Sequence, residues 1–302
     1  MLDRRDMHGV FVPVITPFLQ SGELDLESYR SYLGGLIQND IQGLVINGTT
    51  GEAPTVTWEE VLQLVQATKK LIGDKKQRMP VIIGTGTNDT VSTVRRTESA
   101  AEIGADAVLV VVPYYSKPSQ EGIIKHFQKV AEVGVPVIFY EIPSRTGVRL
   151  TMETARRIMD LNGVVGLKDS SDSLALLSEL NRHGAGPVLC GDDINYYAML
   201  KQGAAGGILA SANVNTQTFI DVYRLVQRGD DLSAKHFFDQ QIPLIRKLFQ
   251  ESNPAPLKWI LARKGIIASD QLRLPMTPIS KELEDELEQL LPHFECRLEL
   301  KG

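Results

Sequence analysis

Eight short apolar runs, each followed by a longer amphipathic stretch, limit what this chain can fold into more than any other feature. The runs are Gly9–Thr16, Gly43–Gly48, Pro80–Thr85, Asp106–Pro113, Pro136–Tyr140, Gly163–Lys168, Pro187–Gly191 and Gly206–Ala210. Several are apolar at consecutive positions, as in Ala107–Val112. Continuous apolarity means burial on both faces, which a strand finds in a parallel sheet covered by helices. The stretches between carry helical spacing, such as Leu26, Tyr29, Leu33, Leu36 and Ile37, or open on a capping box, as Thr57 does with Glu60. Each repeat is roughly 20–35 residues, the scale of a βα unit. An α/β fold is therefore expected: a (β/α)8 TIM barrel over residues 1–230, with a C-terminal helical region over 231–302. That last region has no strand-like run, and helices are expected at Leu232–Phe249, Ala255–Gly265 and Ser280–Leu291. The tail, Pro292–Gly302, is expected to be loosely held. The alternative is a doubly wound sheet, but the first run ends in Thr16-Pro17-Phe18 rather than a Gly-rich dinucleotide turn.

Composition removes several function classes. With 43% hydrophobic residues in 302, the chain has apolar area for one large core. Acids outnumber bases 37 to 32, which is not the basic footprint of a nucleic-acid binder. No apolar run has a membrane-spanning length, and the charged start (Asp3, Arg4, Arg5, Asp6) has no signal-peptide core. Two cysteines, Cys190 and Cys296, make no disulfide framework, so a reducing cytoplasm is expected. The five histidines are scattered with no i, i+4 pair, so no metal is expected.

In a barrel of this kind the chemistry sits at the C-terminal ends of the strands. That rule selects Thr49, Thr50 and Glu52, then Thr85 and Asn88, Tyr114 and Tyr115, and Tyr140, Glu141 and Arg145. Lys168 and Asp169, Gly191 to Asp193, and Ser211 and Asn213 complete the set. Lys168 is the most informative. It closes an apolar run, where loss of water disfavours the ammonium, and a neutral amine is what attacks a ketone. A structural ion pair with Asp169 or Asp192 is the competing reading. Tyr115 and Tyr140, with Thr49, are placed to pass protons, or else cap the core. The loop Gly48-Thr49-Thr50-Gly51-Glu52 suits an anion but lacks the Gly-Lys-Ser/Thr of a nucleotide loop. Arg145 offers a fork for a carboxylate.

Six segments in order resemble the dihydrodipicolinate synthase/N-acetylneuraminate lyase family of pyruvate-dependent class I aldolases. They are GTTGE at Gly48–Glu52, VPYYSKPSQEG at Val112–Gly122, YEIPSRTG at Tyr140–Gly147, GLKDS at Gly166–Ser170, GDD at Gly191–Asp193 and LRLPMTPI at Leu272–Ile279. Asn253–Trp259 (NPAPLKW) adds a seventh, and the likeness runs from about His8 to Leu291. The resemblance implies that Lys168 forms an imine with pyruvate and that Thr50 and its loop hold the pyruvate carboxylate. It implies a proton relay of Thr49, Tyr140 and Tyr115, with Tyr115 reaching a neighbouring subunit's site. Arg145 would bind the second substrate, L-aspartate 4-semialdehyde, and Gly191 and Ile208 would shape the imine pocket. It further implies a lyase of lysine and diaminopimelate biosynthesis, without metal or organic cofactor, assembled as a homotetramer.

Two departures from the family pattern stand out: Glu141 where Asn is common, and Asp-Ser-Ser-Asp over 169–172. They keep open a pyruvate-dependent 2-keto-3-deoxy-sugar-acid aldolase or an N-acetylneuraminate lyase-like enzyme. By the same comparison, Trp58, Val61 and Ser92 replace the polar groups of a lysine-binding allosteric pocket, so feedback by lysine is expected to be weak or absent.

Overall fold

The computed structural model describes residues 1–75 and 78–295. Eight parallel strands close into a barrel in sequence order. They are β1 (Gly9–Pro13), β2 (Gly43–Ile46), β3 (Val81–Gly84), β4 (Ala107–Val111), β5 (Val137–Glu141), β6 (Val164–Asp169), β7 (Val188–Cys190) and β8 (Gly206–Ile208). Each lies within or against one of the eight apolar runs. The strands mostly stop short of the runs because the last residues turn out of the sheet; after β2, Asn47 takes φ +62° and ends the pairing. The barrel closes where β8 meets β1, Gly206 pairing with Gly9. A side chain at Gly206 would overlap the Gly9 backbone, so this seam needs glycine.

Two layers of core follow from the alternation of side chains. Phe11, Val45, Ile82, Leu109, Ile138, Val165, Leu189 and Ile208, one from each strand, fill the interior. A larger apolar shell lies between the strands and the helices around them. The charged N-terminal segment closes the barrel floor. Asp3 caps a 3-10 turn at Arg4–Asp6, and Arg4 donates to the carbonyls of Val164, Ala185 and Met159. Leu2 and Met7 are buried in the inner core.

Helices follow the strands at the expected places, including Trp58–Asp74 with its Thr57/Glu60 capping box. One expectation is corrected: Leu232–Phe249 is not a single helix but two, Asp231–Asp239 and Ile242–Leu248. Pro243 has no N–H to give and is tolerated only in a first turn, so the helix restarts there. A short helix at Pro143–Thr146, opened by its proline, was not anticipated. The C-terminal helices Ala255–Arg263 and Lys281–Leu290 lie against the rest. Pro292–Glu295 forms a short helix; the rest of the tail, with Cys296, lies outside the described residues. No helix is long and apolar enough to cross a membrane.

Candidate active site

At the C-terminal ends of the strands lies a cavity of about 160 Å³. Seven of the eight residues to which the family resemblance gives a role line it: Thr49, Thr50, Tyr140, Arg145, Lys168, Gly191 and Ile208. Tyr115 does not. It stands 88% exposed on the loop after β4, with φ +72°, and Lys117 beside it has φ +47°.

Lys168 enters the cavity because of a local irregularity. Val137 pairs with Val164, but Ile138 pairs with Gly166, so β6 carries one extra residue. Simple alternation from Val164, which faces the helices, would turn position 168 outward. The bulge shifts the phase and brings Lys168 inside, opposite Tyr140. Lys168 is 7% exposed, with Nζ 4.3 Å from the centre of the Tyr140 ring. Among the described residues it makes no ion pair or hydrogen bond, which removes the pairing with Asp169 or Asp192. Asp169 has turned away and accepts from the Ser171 amide at 2.9 Å. Gly191 gives the lysine its space, since a Cβ there would stand 2.7 Å from Lys168 Cε and closer still to Ser170 Oγ.

Glu141 faces outward, as does Asp169, its register partner. Its Oε1 accepts from the Leu150 amide at 2.9 Å, and Oε2 is buried with no partner. Burial, with the nearby Asp169 charge, pushes its carboxyl up to about 7. It does not line the cavity, so it does not contact a ligand there. Cys190 is fully buried behind the site and donates to the Asp192 carbonyl. Burial pushes its thiol well above the usual value, which suits packing rather than nucleophilic work.

The anion loop is a 3-10 turn, Thr49–Gly51, ending on Glu52 at φ +57°. Its supports come from residues that the sequence reading had not assigned to the site. Asn253 Nδ2 donates to Thr50 Oγ1 at 3.1 Å, and both Asn253 and Phe249 line the cavity. Glu52 points away from the cavity and forms a fully buried ion pair with Lys258 at 2.8 Å. Lys258 also donates to the Thr16 carbonyl at 2.9 Å and to that of Gln271. Arg273 forks onto Glu60 and donates to the Thr55 carbonyl, and the Phe18 ring lies near both cations. These are the NPAPLKW and LRLPMTPI segments, so the signal was in the sequence, but only the fold connects it to the loop.

Arg145 projects from the short Pro143–Thr146 helix, exposed and unpaired among the described residues. Asp172, Asp192 and Asp193 line the cavity as well, Asp193 buried and accepting from the Ser211 and Ala210 amides. No group of three or more His, Cys, Asp or Glu among the described residues is placed to hold a metal ion. A larger groove, about 1160 Å³, runs beside Tyr32, Asn213 and Phe237, but it holds neither lysine nor arginine.

Comparison with known proteins gives one answer. The Dihydrodipicolinate synthetase family profile matches residues 6–294. A 4-hydroxy-tetrahydrodipicolinate synthase of Coxiella burnetii is 37% identical over 285 residues, covering 94% of this chain and 97% of that one. That of Thermomicrobium roseum is 39% identical over 287 residues, covering 93% and 92%. The solved synthase of Methylacidiphilum fumariolicum superposes with TM-score 0.91 at 34% identity, covering 96% and 97%. The Acinetobacter baumannii enzyme, solved in complex with pyruvate, gives 0.90 at 34% identity, covering 95% and 98%.

Proposed function

The chain belongs to the dihydrodipicolinate synthetase family, and from that membership and the cavity we propose how its residues carry out the reaction. It is a Schiff-base lyase that condenses pyruvate with L-aspartate 4-semialdehyde to 4-hydroxy-tetrahydrodipicolinate. The sugar-acid alternatives are not favoured, since the relatives bear the synthase name.

The observation that carries the assignment of roles is the unpaired Lys168 amine, buried over the Tyr140 ring in the same small cavity as an unpaired arginine. The Lys168 nitrogen adds to the pyruvate carbonyl and water leaves, giving a protonated imine. Thr50 and its turn hold the pyruvate carboxylate, kept in place by Asn253. The imine draws electrons from the methyl carbon, which gives up a proton and becomes an enamine. Tyr140 and Thr49 relay that proton. The enamine carbon attacks the aldehyde, whose carboxylate rests on Arg145. The amine of the second substrate then closes on the imine carbon and expels Lys168. Gly191 and Ile208 shape the walls.

Tyr115 joins the relay from a neighbouring copy, so the active form is at least a dimer and, by the family habit, a homotetramer. Its 88% exposure and its positive φ support this, for a bulky residue held in that region signals an imposed geometry. We place the enzyme in the cytoplasm, in keeping with a buried, unpaired Cys190. Lysine inhibits weakly or not at all: Trp58, Val61 and Ser92 stand where the resemblance puts polar groups, and Trp58 is already stacked by the Arg96 cation at 5.6 Å.

The test is incubation with pyruvate, borohydride reduction and mass spectrometry, followed by turnover with L-aspartate 4-semialdehyde and with keto-deoxy sugar acids. A pyruvate adduct on Lys168 and condensation of the amino aldehyde are expected; an unmodified lysine rejects the mechanism.

A further inference from the structure

The cavity is not uniformly cationic. Opposite in sign to Lys168 and Arg145, three carboxylates line it: Asp193, which is taken up by the Ser211 and Ala210 amides, and two others, Asp172 beyond β6 and Asp192 beyond β7. Neither Asp172 nor Asp192 has a cationic side-chain partner among the described residues. Asp192 is held by Asn195, whose Nδ2 donates to Oδ2 at 2.6 Å, so its carboxylate is fixed rather than free to swing. Asp172 is within hydrogen-bonding and Coulombic reach of it, and with burial that neighbour raises the Asp192 carboxyl to about 6. The backbone at Asp172 takes φ +55°, a conformation in which glycine would be at ease and an aspartate is less so. A second observation points to a ligand. Ser170, only 6% exposed, lines the same cavity with a buried hydroxyl that finds no partner. A buried hydroxyl without a partner at the wall of a cavity is free to meet a polar group that enters it.

We propose that Asp172 and Asp192 form the ammonium-recognising wall of the aldehyde site, with Ser170 as an adjoining hydrogen-bond partner, so that the enzyme selects an aldehyde bearing an ammonium group over aldehydes lacking that charge. This deepens the reaction proposed above and rests on it. Two facing carboxylates repel one another, and a cation between them removes the repulsion. Arg145 on the same cavity takes the carboxylate of the same zwitterion. A polyhydroxylated sugar acid would bring only neutral hydroxyls to the two acids, leaving their repulsion in place.

The experiment compares L-aspartate 4-semialdehyde with succinic semialdehyde, which lacks only the ammonium group, on the pyruvate-loaded enzyme. KM is measured for the first and the inhibition constant for the second, in the wild type, Asp172→Asn and Asp172→Gly. The glycine variant also relieves the positive φ, which guards against a folding defect. Both variants are expected to raise KM for the amino aldehyde about 10-fold, in line with a charged hydrogen bond at a partly exposed site, while succinic semialdehyde binds as well or better. Equal weakening of both ligands, or no change in either, overturns the proposal. A wild-type enzyme that forms the pyruvate adduct yet does not condense the amino aldehyde overturns the reaction itself and this wall with it. The two failures are therefore distinguishable.

Discussion

Replacing Gly191 by alanine tests the central geometry with a single methyl group. No left-handed φ is involved at Gly191, so the backbone accepts alanine and the disturbance is confined to what the methyl meets. The new carbon would lie 2.7 Å from Lys168 Cε and 2.8 Å from Cγ. Ordinary carbon contacts need about 3.5–4.0 Å, so the lysine stem must move by about 1 Å. A displacement of that size at a reacting group lowers the rate about 100-fold. Overpacking costs about 1–3 kcal/mol. Unfolding entropy of about 2.1 cal/mol/K per residue then gives a fall in Tm of about 2–5 °C for a chain of 302 residues. The assay is the rate of appearance of the reduced pyruvate adduct on Lys168, followed by mass spectrometry, beside a thermal melt. The expected variant is folded at room temperature and forms the imine about 100-fold more slowly. Adduct formation at the wild-type rate, with only the small loss in Tm, would refute the claim that Gly191 holds the space in which the amine works.

Three further outcomes follow from the same geometry. Arg145→Ala should raise KM for the amino aldehyde at least 10-fold while pyruvate trapping stays near the wild-type rate; equal loss of both contradicts its role. Glu141→Gln keeps an acceptor for the Leu150 amide but removes an acid whose folded-state value, about 7, exceeds its ordinary value of 4.5. The wild type therefore loses stability as pH rises from about 4.5 to about 7. The variant should be more stable by up to about 3 kcal/mol above pH 7 and no different below pH 4.5, as denaturation across pH will show. Lys258→Met leaves Glu52 buried without its cation and should destabilise by about 3–5 kcal/mol, with pyruvate KM rising as the Thr49–Gly51 turn loosens. Adding Glu52→Leu should restore part of the stability, and a double-mutant cycle with no coupling would contradict the pairing.

The barrel was legible because hydrophobic period and repeat length speak for every strand separately, and each apolar run needed only to be continuous. The direction in which Lys168 points was not legible on the same grounds. It depends on one extra residue between Val164 and Gly166, and a bulge in a continuous run such as Val164-Val165-Gly166-Leu167 leaves no mark in the apolar pattern. The shifted phase of β6 turns Asp169 outward, and plain alternation along β5 does the same for its register partner Glu141, although they adjoin Lys168 and Tyr140 in sequence. A reading that attends only to strand ends counts them as site candidates; the pleat removes them.

The C-terminal region shows the opposite limit. Its sequence reads as helices, because period is local, but what those helices do depends on contacts across most of the chain. Lys258 reaches Glu52 and Thr16, and Asn253 reaches Thr50. A lysine within the apolar helix Ala255–Arg263 was a signal in its own right, since a fully buried ammonium is tolerated only where acceptors converge on it. Here the three acceptors are a carboxylate and two carbonyls, and one of them ends the turn assigned to pyruvate. The energy that keeps this lysine buried is thus the same energy that fixes the loop. A barrel whose catalytic loop were held only by its own strand ends would have no need of such a residue.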